Sequence, residues 1–260
     1  MDFMIAEGKL VGAKAIVTGG SGRIGEFIAK TLAREGAFVA VAGRNLQNAQ
    51  QVVSEIERSG GTALAIQVDV TRSQEVAEMV KEILDRWGAI DILVNNAGGF
   101  YKTSSFIEIT EDDWNFMMDL NVKSVFLCSR EVAKHMIERR KGKIINIASQ
   151  AGISPYPQRA SYLPYGVGKG AVLGFTKHLA KELGPYGITV NAVSPGTTLS
   201  SRGSRVPGNT PNYRKIAEMT ALGRLPEPQD SAEAVLFLSS ESSRCITGVN
   251  LSVHSGALIL

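Results

Sequence analysis

The chain has 260 residues, 44% of them hydrophobic and 20% charged, with 28 Lys and Arg against 25 Asp and Glu. That is the composition of an ordinary globular protein and excludes fibrous repeats and extended disorder. A formal net charge of +3 is too small and too dispersed for a nucleic-acid partner, and the densest basic run, Arg139-Arg140-Lys141, reads as a solvated helix end. Cys128 and Cys245 lie far apart with no CxxC or histidine-rich context, so neither a disulfide framework nor a metal site is expected, and a reducing compartment fits. The first ten residues lack a basic stretch followed by a long apolar one, and no apolar run approaches 18 residues. The expectation is a cytoplasmic protein with no membrane span.

In chain order, compact apolar runs at 14–18, 37–42, 63–68, 90–95, 143–148, 188–193 and 249–253 predict seven strands. Each is mostly apolar rather than alternating, as strands of a parallel sheet covered on both faces must be. Helical spacing separates them. In 24–36, Ile24, Phe27, Ile28 and Leu32 fall on one face; in 73–87, Val76, Met79, Val80, Ile83 and Trp87 do so. Thr71 with Gln74 three residues later predicts a capping box opening that second helix. Helices at 111–139 and 161–183 carry apolar residues on more than one face: Trp114, Met117, Met118, Val122 and Phe126 on the first, Val172, Leu173, Phe175 and Leu179 on the second. That pattern suits an intersubunit bundle. Strand–helix repetition of this kind gives βαβ units with right-handed crossovers, hence a single α/β domain with a doubly wound parallel sheet of about seven strands. A Gly-, Ser- and Pro-rich stretch at 196–211 reads as a flexible substrate flap, reaching to about 220.

The first strand runs into Thr18-Gly-Gly-Ser-Gly-Arg-Ile-Gly25 and then a helix. A glycine turn at that junction lets backbone approach a pyrophosphate, and the helix N-terminus supplies N–H donors and a positive dipole end. Here the chain resembles the short-chain dehydrogenase/reductase family, a Rossmann-type fold whose fingerprint is T-G-x-x-x-G-x-G. Thr18, Gly19 and Gly25 match; Arg23 stands at the middle glycine, with Gly22 one place earlier. The resemblance continues along the chain through Asp69-Val70, Asn95-Asn-Ala-Gly98, Asn121, Ser149, the Y-x-x-x-K pair Tyr165 and Lys169, and Pro195-Gly196 with Thr198. It implies cofactor contacts from Gly19, Ser21, Arg23, Ile24, Gly25, Asp69, Val70, Asn95, Ala97, Gly98, Tyr165, Lys169, Pro195, Gly196 and Thr198.

The chemistry of the last group follows from its residue types. A tyrosine phenol with pKa near 10 is a poor base at neutral pH, and a lysine at i+4 on the same helix face favours its ionised form. Tyr165 is the expected acid/base toward a carbonyl/secondary-alcohol pair, Ser149 the donor to the oxygen on which charge develops, and Lys169 the partner of both Tyr165 and the nicotinamide ribose. Asn121 would hold the water chain that resupplies protons. Ser149 and Tyr165 are sixteen apart in number, a few more than the family usually shows. Tyr162 sits nearer that distance but has Gly166 at i+4, so it is assigned to the substrate pocket, which the extra residues in 154–161 would widen. Val253-His254-Ser255-Gly256 replaces the family's Asp followed by two glycines, and His254 reads as a packed or interface residue.

Cofactor choice turns on Gly43 and Arg44. Gly43 takes the position of the acidic residue that binds the ribose 2′-OH of NAD, and Arg44 beside it offers a charge-assisted contact to a 2′-phosphate. NADP(H) is the expected cofactor, with NAD(H) as the alternative. The resemblance implies a ketoreductase, with a 3-oxoacyl thioester as one substrate class beside other ketones, quinones, sugars and steroids, and a homo-oligomer, tetramer or dimer; the basic residues in or near the flap, Arg202, Arg205, Arg214 and Lys215, suit contact with a phosphorylated carrier. An NAD-linked alcohol dehydrogenase and a catalytically silent cofactor-binding subunit are the alternatives.

Overall fold

A computed structural model describes residues 8–101, 104–155, 162–199 and 212–259. The strands are β1 (Lys14–Thr18), β2 (Phe38–Gly43), β3 (Thr62–Gln67), β4 (Ile92–Asn95), β5 (Gly142–Ile147), β6 (Ile188–Pro195) and β7 (Asn250–Val253). They form one sheet in the order β3-β2-β1-β4-β5-β6-β7, every pairing parallel. The order reverses between β1 and β4, and the crevice beyond the carboxyl ends of the strands at such a point is where open α/β sheets bind ligands.

Alternation along the strands divides the core. Ala15, Val17, Val39, Val41, Ile92, Val94 and Ile145 face α1 (Arg23–Arg34), α2 (Leu46–Arg58) and α8 (Pro228–Ser239). Ile16, Ala40, Leu93, Ile144, Ile188 and Val190 face α3 (Ser73–Trp87), α5 (Ser124–Arg139) and α6 (Leu163–Leu183). Every one of these strand residues is buried, which explains why the strands read as continuous apolar runs. The remaining helices are α4 (Glu111–Met118) and α7 (Tyr213–Glu218).

Several local expectations are corrected. The helix expected over 111–139 is interrupted by a π turn, Asp119–Lys123, between α4 and α5. The Thr71–Gln74 capping box does not form. Thr71 donates through both its amide and its hydroxyl to Asp69 Oδ1, Gln74 bonds Glu78, and α3 starts at Ser73 without a side-chain cap. Residues 213–218 of the expected flap are helical, opened by Asn212, whose side chain accepts from the Lys215 amide at 3.0 Å. The 200–211 part, with Arg202 and Arg205, lies outside the described residues, as do 156–161. Of the residues expected to face another subunit, Met117 and Val172 are buried within the chain, and Leu173, Phe175 and Leu179 pack against its core. Phe126 stays exposed, joined by Phe116 on the same helical stretch. Among the described residues no helix is long and apolar enough to cross a membrane.

Candidate active site

The glycine turn is built by stitching the end of β1 to the end of β4. Buried Thr18 Oγ1 donates to the Val94 carbonyl (3.3 Å) and accepts from the amides of Asn96 and Ala97 (both 3.0 Å). Asn96 Nδ2 returns bonds to the carbonyls of Thr18 and Gly19, each 3.0 Å. Gly19 takes φ +61°, the left-handed region that favours glycine. A Cβ on Gly25 would stand 2.2 Å from the Gly19 carbonyl oxygen, so the first turn of α1 packs directly onto the loop. Arg23 is the first residue of α1, and Gly22 ahead of it makes no side-chain cap. The opening amides of α1 therefore have no side chain from their own cap, which suits an anion seat.

Around this turn lie the other expected cofactor residues. Ser21 faces Gly43: a Cβ there would lie 3.6 Å from its Oγ. Arg44 is exposed, and its carbonyl accepts from Gln67 Nε2. Burial works to raise the Asp69 pKa, but the Thr71 hydrogen bonds and the charges of Arg44 and Arg72 outweigh it and hold the carboxyl below its ordinary value. Arg44 thus already has an electrostatic neighbour. Val70 is buried beside it.

Asn95 goes elsewhere. Neighbouring residues at a strand end point to opposite faces; Asn95 Nδ2 bonds Ser129 Oγ (2.9 Å) and Asn146 Oδ1 (2.8 Å), and Asn146 in turn bonds Thr176 Oγ1 (2.9 Å). Its side chain braces β4, β5, α5 and α6. Asn96, not singled out from sequence, holds the glycine turn; strand alternation was the signal that separates the two.

The four expected catalytic residues come from the π turn, from the segment after β5 and from α6, and meet at the carboxyl edge of β4 and β5. Asn121, fully buried in the π turn, accepts from the Gly99 amide (2.9 Å) and donates to the carbonyls of Gly99 (3.0 Å) and Met117 (3.1 Å). Both of its amide hydrogens are spent, so only an Oδ1 lone pair remains for the expected water. Gly98 lies against it: a Cβ there would meet Asn121 Oδ1 at 2.9 Å and Lys169 Nζ at 3.2 Å. Buried Lys169 donates to the Ile147 carbonyl at 2.8 Å, and desolvation brings its pKa down to about 8. Ser149, two residues beyond the end of β5, accepts from the Ala151 amide (3.2 Å).

Burial raises the Tyr165 pKa; the Ser149 hydrogen bond pulls the other way, and Tyr162 adds to the rise. The expected lowering by Lys169 is not what dominates in this structure. Nζ lies 5.9 Å from the Tyr165 ring centroid and is engaged with Ile147, so desolvation of the phenol prevails. On the far side, the Gly196 amide donates to Val253 (2.9 Å) and Thr198 Oγ1 to the Gly196 carbonyl (3.1 Å). Pro195 is buried, and His254 packs as expected of it, its Cβ 2.6 Å from where a Gly196 Cβ would stand.

Next to Tyr165 lies a shallow pocket with Tyr162 in its wall. Phe100, Tyr101 and Met117 line it too. Phe100 and Tyr101 follow the glycines of the N-N-A-G-G turn with no periodic pattern to mark them.

The family model described as enoyl-(acyl carrier protein) reductase matches residues 20–257. A 3-oxoacyl-(acyl-carrier-protein) reductase of Staphylococcus epidermidis is 39% identical over 244 residues, covering 93% of this chain and 97% of that protein. A hydroxy(phenyl)methylsuccinyl-CoA dehydrogenase subunit of Thauera aromatica is 35% identical, covering 93% and 95%. A solved short-chain dehydrogenase/reductase of Serratia marcescens, a doubly substituted variant, superposes with TM-score 0.87 at 35% identity over 96% of this chain and 99% of its own. With its single parallel sheet and the motifs at the strand ends, the chain belongs to the short-chain dehydrogenase/reductase family, NAD(P)-dependent oxidoreductases acting on CH–OH or carbonyl groups.

Proposed function

We propose that the protein is an NADP(H)-dependent ketoreductase that interconverts a carbonyl and a secondary alcohol, with Tyr165 as acid/base. The carrying observation is the convergence of Tyr165, Ser149, Lys169 and Asn121 beside the glycine turn. The residues fit a dinucleotide: the uncapped α1 N-terminus suits a pyrophosphate, and Gly19, Gly25 and Gly98 stand where a Cβ would collide with the turn or with Asn121. Gly19, Ser21, Arg23, Ile24 and Gly25 would hold the phosphates, Arg44 the 2′-phosphate, Asp69 and Val70 the adenine end, and Ala97, Gly98, Pro195, Gly196 and Thr198 the nicotinamide end. NADPH, when bound, supplies the hydride.

The chain's own residues manage the proton. A raised Tyr165 pKa keeps the phenol protonated at neutral pH, which is the form that gives a proton to a carbonyl oxygen during reduction. Ser149, hydrogen-bonded to Tyr165, donates to that oxygen as its charge grows. Lys169 spends one N–H on Ile147 and retains others for a ribose hydroxyl. Asn121 fixes the Gly98–Gly99 turn against Lys169 and leaves Oδ1 for the water that restores the proton.

The activity named for the Staphylococcus relative supports a 3-oxoacyl thioester as substrate. Arg214 and Lys215 on α7 remain candidates for a phosphorylated carrier, although Arg214 already pairs with Glu218 at 3.3 Å. The exposed rings of Phe116 and Phe126 suit a homo-oligomer contact, and the cytoplasm suits the chain's two free thiols. Tyr165→Phe tests the assignment: turnover of a 3-oxoacyl thioester should fall about 10²–10⁴-fold with NADPH affinity unchanged. Retained turnover overturns it. Titration with NADPH and NADH, read by energy transfer from Trp87 and Trp114, decides the cofactor, and tighter NADH binding would select the NAD-linked alternative.

A further inference from the structure

We propose that the pocket beside Tyr165 selects ketones that carry a flat aromatic group, and that Phe100 sets this preference. The inference rests on the assignment of Tyr165 above and specifies what that site accepts.

Phe100 is clamped between two tyrosines. Its ring centroid lies 4.3 Å from that of Tyr162, tilted by 45°, and 6.1 Å from that of Tyr165, edge-on at 69°. Tyr101, also lining the pocket, leans on Phe116 at 5.2 Å. Four aromatic rings, with Ile109, Met117 and Pro164, therefore form most of the wall, and Met117 is a flexible, polarisable floor that packs well against ring edges.

The polar side chains of the lining, beside the tyrosine hydroxyls, are Ser104 and Asp113. Among the described residues that line the pocket there is no lysine, arginine or histidine. The one carboxylate, Asp113, is bonded to the Thr110 amide and hydroxyl in the cap of α4. A neutral ring would meet other rings in tilted and edge-on arrangements, the geometry that aromatic pairs prefer. Tyr162, the tyrosine carrying no lysine at i+4, is the ring that leans on Phe100.

The test compares kcat/KM for two thioesters, 3-oxo-3-phenylpropanoyl and 3-oxohexanoyl, on the wild-type chain and on Phe100→Leu, which keeps apolar bulk and removes the ring. The wild type should prefer the phenyl substrate. Phe100→Leu should lower the phenyl-to-alkyl ratio by about 3- to 10-fold, through KM rather than kcat, with NADPH affinity unchanged. An alkyl preference in the wild type, or a ratio unmoved by Phe100→Leu, overturns the proposal while leaving the Tyr165 assignment intact. If neither ketone is reduced, the Tyr165 assignment fails instead. Calorimetric affinities of the two ketones for the same two proteins then decide the pocket's preference by the same ratio.

Discussion

The two sides of the β1/β4 switch point are built from different materials. On the β1 side the turn is shaped by backbone: Gly19 at positive φ, Gly25 with no room for a side chain, and carbonyls held by Asn96. On the β4–β5 side the work falls to buried polar side chains, Asn121, Ser149 and Lys169, each tied to main chain. A backbone site fails when atoms are added. A site of buried side chains fails when atoms are removed, because every deletion leaves a polar partner unpaired.

The largest expected effect breaks the side-chain half. Lys169→Met should lower kcat/KM for reduction about 10²–10³-fold, measured with saturating cofactor. It should also remove a pH limb. Lys169 in the folded chain titrates near 8 rather than 10.5, so wild-type kcat/KM should fall as pH rises through about 8 and the variant's should not. The sign for stability is opposite. Folding strips water from this ammonium, so the penalty is full below about pH 8, where the buried group still carries its charge, and fades as pH rises toward 10.5, where the unfolded lysine also deprotonates. Denaturant melts of the cofactor-free protein at pH 7 should therefore show Lys169→Met more stable than its parent, with the gap narrowing by pH 10.

Adding atoms to the backbone half comes next. Gly25→Val should weaken NADPH about 10- to 100-fold by fluorescence titration and spare turnover at saturation, since the intruding carbons displace the turn and not the tyrosine. Arg44→Ala should cost NADPH about tenfold and NADH little. Asp69, whose charge Arg44 already feels, places the effect toward the low end for such a contact. Smallest is Asn96→Ala, expected to remove about 1–2 kcal/mol of stability by freeing the Thr18 and Gly19 carbonyls, read as a drop in Tm.

The same division governs what could be read in the sequence. All seven strands were legible: the central ones, β1, β4, β5 and β6, are buried on both faces and carry dense apolar runs, and the edge strands β3 and β7 showed as short β-prone runs despite their exposure. The glycine turn and the Y-x-x-x-K pair are local, so spacing alone brought Tyr165 and Lys169 to one helix face. What depends on three-dimensional neighbours was not legible. Strand alternation puts Asn95 and Asn96 on opposite faces, but nothing local names their partners, Ser129 and Asn146 for the one and Gly19 for the other, or says that Lys169 finds the Ile147 carbonyl rather than the phenol. The Thr71–Gln74 pattern misled because Asp69, two residues upstream, competes for the threonine hydroxyl. The pocket wall escaped because Phe100 and Tyr101 sit in a turn, where apolar residues have no period.

The π turn at Asp119–Lys123 has an evolutionary and engineering reading. A turn with one residue too many is what a single-codon insertion leaves in an α-helix. Removing one residue from this turn would let α4 and α5 fuse into a continuous rod, and every side chain before the deletion would rotate by about 100° relative to those after it. Asn121 would then swing off Gly99, and the Gly98–Gly99 turn would lose its clasp. A one-residue deletion here, otherwise a route to a straighter and better-bonded helix, would exchange local regularity for the geometry of the site.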